Sequence, residues 1–205
     1  MRQLEDLVTP GQVAVLTMEL QRGIVGDLSC LPLLAKSVAE AQLLANTARV
    51  LAAARACGIP VIHCTAGFRP DRAGSFENVP LVNQLLRNPN HLLLGSPEVE
   101  VCPELGPAPS DLQSQRLHGV SPFHGTGLDA MLRSSGATTV VATGVSLNVG
   151  IIGLTIEALN HGYHVVLPTD CVAAHPLEYG RAIIEGSLSQ LTTRTTSQEL
   201  AQHWR

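Results

Sequence analysis

The chain has 205 residues, 45% of them hydrophobic and 15% charged, with a formal net charge of −4. That size and apolar content suit one soluble globular domain with a substantial core and exclude a disordered chain. The acidic balance, with no cluster of Lys or Arg, argues against a nucleic-acid partner, and no apolar run approaches the ~20 residues of a membrane span.

The N-terminal MRQLEDLVTPGQ carries acidic residues and no apolar h-region, so no signal peptide is expected. Five scattered cysteines (Cys30, Cys57, Cys64, Cys102 and Cys171), an odd number without a CxxC pair, read as reduced thiols of a cytoplasmic protein. The low charge content points to surface buried in a homo-oligomer. Lys36 is the only lysine, which removes a P-loop reading, and no GxGxxG follows a strand, so no nucleotide cofactor is expected.

In chain order, Val13 to Met18 (VAVLTM) reads as the first core strand and ends at Glu19-Leu20-Gln21. A loop from Arg22 to Pro32 leads to one long helix over about Leu33 to Ala56, closed by Gly58 and Pro60. Val61 to Thr65 is a second strand, followed by a Gly- and Pro-rich loop, Ala66 to Pro80, and a short helix over Leu81 to Leu86. A proline-punctuated surface segment spans Pro97 to Asp111. Leu112 to Val120 carries strand signals, and a helix runs from about Thr126 to Ser135.

Thr138 to Thr143 is a β-branched run of the kind that fills a buried parallel strand. It breaks at Gly144, and a helix starts near Asn148 and ends by His161. Tyr163 to Leu167 is another strand, Leu177 to Leu188 a helix, Thr192 to Thr195 an edge strand, and Ser197 caps a last helix. Alternating strands and helices give the expected fold: an α/β three-layer sandwich, a mostly parallel sheet with helices on both faces, over residues 1–205 as a single domain. The strand, glycine turn and helix N-terminus around Gly144 form a natural ligand site at the carboxyl end of a sheet.

Three blocks resemble the isochorismatase-like (cysteine) hydrolases: VAVLTMELQ, HGVSPFHGTGLDAMLRSSGATTVVATGVSLNVG, and ALNHGYHVVLPTDCVAAH. In the amidase members of that superfamily an Asp, a Lys and a Cys form the triad. Carried over residue by residue, the Asp position falls on Glu19, the Lys position on Leu117 with His118 beside it, and the Cys position on Gly150. A glycine at 150 removes covalent acyl transfer from that residue. The resemblance still implies a hydrolase-like protein, because the isochorismatases proper resemble this chain in having glycine there and cleave a vinyl ether with a general acid. Glu19 is the expected acid, with His118 the nearby cation. The alternative is a catalytically degenerate member kept to bind a small molecule or to assemble.

The resemblance also implies a cis Val145-Ser146 peptide, with the amides of Val149 and Gly150 turned into a cleft as an oxyanion-binding turn. It brings Gln21, Phe68, Arg69 and Phe123 to that cleft, Arg69 either as a partner for a substrate carboxylate or as a solvated loop arginine. The loop CTAGFRPDRAGSF holds no histidine, so no metal is expected. Cys64 is a buried residue or a displaced nucleophile, and Asp170 caps the turn after its strand. If Glu19 is the acid, its carboxyl lies partly buried in a pocket shared with the turn; a salt bridge to an arginine would remove it from that role.

Overall fold

The apolar runs become β1 (Val13–Met18), β2 (Val61–Ala66), β4 (Thr139–Gly144) and β5 (His164–Pro168); β3 (Leu112–Arg116) and β6 (Thr193–Thr195) are the shorter outer strands. In this computed structural model, which describes residues 3–205, all pairs are parallel in the order β3-β2-β1-β4-β5-β6. Met1 and Arg2, the start of the segment read as lacking a signal peptide, lie outside the described residues. β1, β2 and β4 are buried along their whole length, as continuous β-branched runs covered on both faces require.

Alternating side chains build a core on each face. Val13 and Val15 pack with Leu43, Val50, Leu51, Leu200 and Trp204, from α3 (Leu43–Ala56) and the α8 region (Ser197–His203). Ala14, Leu16 and Met18 pack with residues of α5 (Leu128–Ser134), α6 (Ile152–Asn160) and α7 (Leu177–Gly186). The three-layer α/β sandwich is the architecture expected. Three further helices are α1 (Leu4–Leu7), α2 (Pro32–Glu40) and α4 (Pro80–Leu86). Among the described residues no helix is long and apolar enough to cross a membrane.

Several boundaries differ from expectation. The long helix is two, because Gln42 takes φ 51° between α2 and α3, a left-handed conformation that an α-helix cannot continue through. Helix α6 begins one turn late: residues Leu147–Ile151 form a π turn, with the Ile151 amide on the Ser146 carbonyl at 3.0 Å. The final helix is capped by Thr196, whose hydroxyl accepts from the Glu199 amide at 3.2 Å, rather than by Ser197.

The strand order reverses between β1 and β4, whose facing residues run from Val13–Thr139 to Met18–Gly144. Crevices in open α/β sheets form outside the carboxyl ends of the strands at such a switch point. Gly144 is required there: it has φ 112°, and a Cβ would strike the Met18 backbone, with Met18 N only 2.8 Å away.

Candidate active site

A cavity of about 410 Å³ opens at this switch point. Leu31, Leu34, Phe68, Val82, Leu92 and Val149 give it an apolar wall, interrupted by Glu19, Arg116, His91, His118, Ser146 and Asn148. A mostly apolar hollow with a few convergent polar groups is the usual form of a small-molecule site.

Glu19 follows β1 with φ 54°, a left-handed conformation costly for a residue with a Cβ, and its amide donates to the Cys64 carbonyl at 2.9 Å. Its carboxylate forms an ion pair with the guanidinium of Arg116, the last residue of β3. The two side chains are 18% and 6% exposed, so the pair is largely desolvated. Arg116 Nη1 is buried without a hydrogen-bond partner, leaving one donor of the fork unused. The motif's cation position aligns with residue 117, one residue past this arginine. Arg116 ends β3, and Arg116 and His118 both line the cavity whereas Leu117 does not. The His118 ring stacks on Phe76 with centroids 4.5 Å apart. This ion pair is the arrangement that the sequence reading sets against Glu19 acting as a free acid.

Gly150 lines the cavity opposite this pair, but no side chain fits there. A Cβ on it would lie 2.9 Å from the Val145 carbonyl oxygen and 3.0 Å from Met18 Cε. The Val145-Ser146 peptide is cis. The Val149 amide, expected to face an oxyanion, donates back to the Ser146 carbonyl at 3.2 Å.

Ser146, Val149 and Phe68 line the cavity together with Glu19, His118 and Gly150; four other expected residues do not. Val145 is fully buried beneath the turn. The Gln21 amide is spent on backbone, bonding Ala66 N and O at 2.8 Å each and Val99 O at 3.0 Å. Arg69 pairs with Asp71 at 2.6 Å in solvent. Phe123 lies in the α5/α6 core, stacked on His161 at 5.1 Å. Cys64 is fully buried, its thiol pushed up to about 12 by burial, and it does not reach the cavity. Asp170 bonds the Ser197 amide at 2.8 Å and hydroxyl at 2.6 Å, and so holds the start of α8.

Sequence reasoning also passed over Cys30 and His91, which meet on the cavity wall from loops 61 residues apart. A hydroxyl–imidazole–carboxylate chain exists elsewhere: Thr17 Oγ1 lies 2.7 Å from His63 Nδ1, and His63 Nε2 lies 3.1 Å from Asp111 Oδ2, which Arg55 also holds at 2.7 Å. Thr17 and His63 are 2% and 3% exposed and face no cavity, so this chain ties β1, β2 and the edge before β3 together.

Comparison with known proteins places this arrangement in context. Residues 13–199 match the family described as Isochorismatase domain. The chain is 25% identical over 179 residues to the maleamate amidohydrolase of Pseudomonas putida, spanning 84% of this chain and 79% of that one. It is 32% identical over 139 residues to a ureidoacrylate amidohydrolase of Methylobacterium radiotolerans, where the match spans 62% of this chain and only 54% of the relative's length. Among solved structures, an isochorismatase family protein from Burkholderia thailandensis superposes with a TM-score of 0.77 at 28% identity, over 96% of this chain and 97% of that one. A cysteine hydrolase from Pseudomonas syringae pv. phaseolicola shares the fold with a TM-score of 0.82 at 22% identity, over 97% and 94% of the two chains.

Proposed function

The chain belongs to the isochorismatase family, and from that premise we propose that its cavity binds a small, largely apolar molecule while the residues at the triad positions perform no chemistry on it. The observation that carries this reading is the Glu19–Arg116 ion pair. A general acid must hand a proton to the substrate, and a carboxylate engaged by a guanidinium has none to give while the pair stands. The crowding at Gly150 supports the same conclusion, since the space for a nucleophile's Cβ is already filled by Val145 and Met18.

The wall chemistry favours a ligand with an apolar body and one anionic or carbonyl oxygen. The Arg116 guanidinium, which lines the cavity, is the group that would meet that oxygen, since hydrogen bonds to a charged donor are the stronger ones. Two relatives are named for small organic anions, maleamate and ureidoacrylate, which agrees with this polarity. The low charge content supports a homo-oligomer, which sedimentation velocity measures directly.

Titration with a small fluorescent aromatic carboxylate tests the reading. Wild type is expected to bind it. Arg116→Met should bind about tenfold more weakly, the worth of one charge-assisted hydrogen bond. Val149→Trp, which fills the cavity, should not bind. Equal binding by all three would refute the cavity as the ligand site.

A further inference from the structure

Two side chains on the cavity wall take no part in the Glu19–Arg116 pair. Cys30 ends the loop that follows β1 and is exposed at the cavity. His91 comes from the loop after α4 and is 2% exposed. Cys30 Sγ lies 3.1 Å from His91 Nδ1, within the reach expected between a nucleophile and its base. His91 Nε2 is buried with no partner, so the ring is not held in place as a link in a hydrogen-bonded frame.

Both loops are fixed by backbone bonds. The Ser29 hydroxyl donates to the Ile24 carbonyl at 2.6 Å and accepts from the Leu31 amide at 3.0 Å, bracketing Cys30. The Leu92 amide donates to Glu98 at 2.7 Å directly after His91. The other thiols are placed differently: Cys57 donates to the Trp204 carbonyl at 3.1 Å, and Cys64, Cys102 and Cys171 are fully buried. Among the described residues no group of three or more His, Cys, Asp or Glu side chains has the arrangement of a metal site, so the pair is not part of one.

We infer that Cys30 and His91 form a nucleophile–base pair that accepts acyl groups from small activated esters or amides held in the cavity. The inference rests on the reading of that cavity as the ligand site. Cys30 Sγ attacks the acyl carbon while its proton passes to His91 Nδ1; the C–S bond forms and the carbonyl π pair moves onto oxygen. On collapse the bond to the leaving oxygen or nitrogen breaks, and Nδ1 returns the proton to that group. Water then attacks the thioester with Nδ1 as base, which releases the carboxylic acid and restores the thiol. Burial, with Arg72 acting in the same direction and Glu98 and Glu19 against it, keeps His91 below its ordinary 6.5, so the ring rests neutral and its role as acceptor rests on its 3.1 Å approach to the thiol rather than on raised basicity. Burial also raises the Cys30 thiol above its ordinary 9.0, so the sulfur rests protonated and depends on that base.

The test is incubation with p-nitrophenyl acetate, followed by acid quench and peptide mass mapping, with nitrophenolate release recorded alongside. Wild type is expected to carry the acetyl group on Cys30. Cys30→Ser should lose it, and His91→Gln should slow acylation by about a hundredfold, the worth of a positioned base. The unmutated protein contains its own control should His91→Gln fail to fold: Cys30 must react faster than Cys57, which has no imidazole partner. Acylation mapped to Cys57 or to no cysteine, or an unchanged rate in folded His91→Gln, would overturn the pair. Binding of the aromatic carboxylate is read on the same samples. Wild type that binds it and is not acylated overturns the pair alone, whereas acylation at Cys30 without that binding supports the pair and overturns the choice of ligand.

Discussion

The Arg116 guanidinium, carried on the last residue of β3, closes on the Glu19 carboxylate just beyond the end of β1. The end of outer strand β3 and the residue that follows β1 thus meet in one largely buried ion pair on the cavity wall. Removing one partner of such a pair leaves a charge unpaired. Arg116→Leu is expected to cost about 3 kcal/mol in urea unfolding, at the low end for buried pairs because Glu19 keeps some contact with solvent. Glu19→Leu/Arg116→Leu should recover most of that loss; equal losses in the single and double variants would show that the pair does not exist.

Gly150→Cys is the obvious attempt to restore a thiol hydrolase, and it is expected to fail. The new Cβ would press on the Val145 carbonyl at 2.9 Å, backbone that cannot swing aside. A loss of about 1–3 kcal/mol, the range for overpacked sites, should appear in denaturant unfolding. The thiol should add no amidase activity to that of wild type in a discontinuous ammonia assay. An active and equally stable variant would mean that the turn is not closed against a side chain.

Gln21 lies in a motif block yet serves the frame. Gln21→Leu strips partners from Ala66 N, Ala66 O and Val99 O and should cost about 2 kcal/mol, since buried groups left unsatisfied are expensive. Its affinity for the aromatic carboxylate should match wild type. Weakened binding with unchanged stability would return Gln21 to the cavity.

Stability should fall in mild acid. Burial holds both His63 and His91 below their ordinary 6.5, in His63 against the pull of Asp111. In the unfolded chain both take up a proton as the pH falls through 6.5, whereas the folded chain refuses it until lower pH. The stabilisation is therefore complete above 6.5 and is lost on the way down, by up to about 1.4 kcal/mol per pH unit for each group. Burial pushes the Asp111 carboxyl up, but hydrogen bonds from Arg55, the Ala108 amide and His63 outweigh it; a second loss follows below its ordinary 3.8. Urea midpoints measured from about pH 8 to about pH 5 check the first window; a flat profile would show that neither imidazole is held neutral.

The sheet was largely legible because its information is local. Continuous β-branched runs at β1, β4 and β5, each ended by a glycine, proline or acid, identify buried parallel strands whatever surrounds them. The break at Gln42 was not legible, since the apolar spacing of α2 and α3 runs through it and one left-handed residue decides it. The site was legible only where one element builds it. The Gly144 turn and Glu19 each lie inside one motif block, whereas Arg116 is hidden because the motif's cation position aligns with residue 117, one past the end of β3. Cys30 and His91 carry no local signal, because two loops brought together by the fold make the pair.

Turnover by wild type, Glu19→Gln and Cys30→Ser on one panel of small esters, amides and vinyl ethers measures most directly whether the triad positions are silent. Glu19→Gln keeps a hydrogen-bonding partner for Arg116 and should leave any turnover within about threefold of wild type, far from the 10²–10⁴ that a lost general acid removes. Cys30→Ser should abolish ester turnover. A vinyl ether cleaved by wild type and by Cys30→Ser, but about a thousandfold more slowly by Glu19→Gln, would contradict this and make Glu19 the working acid.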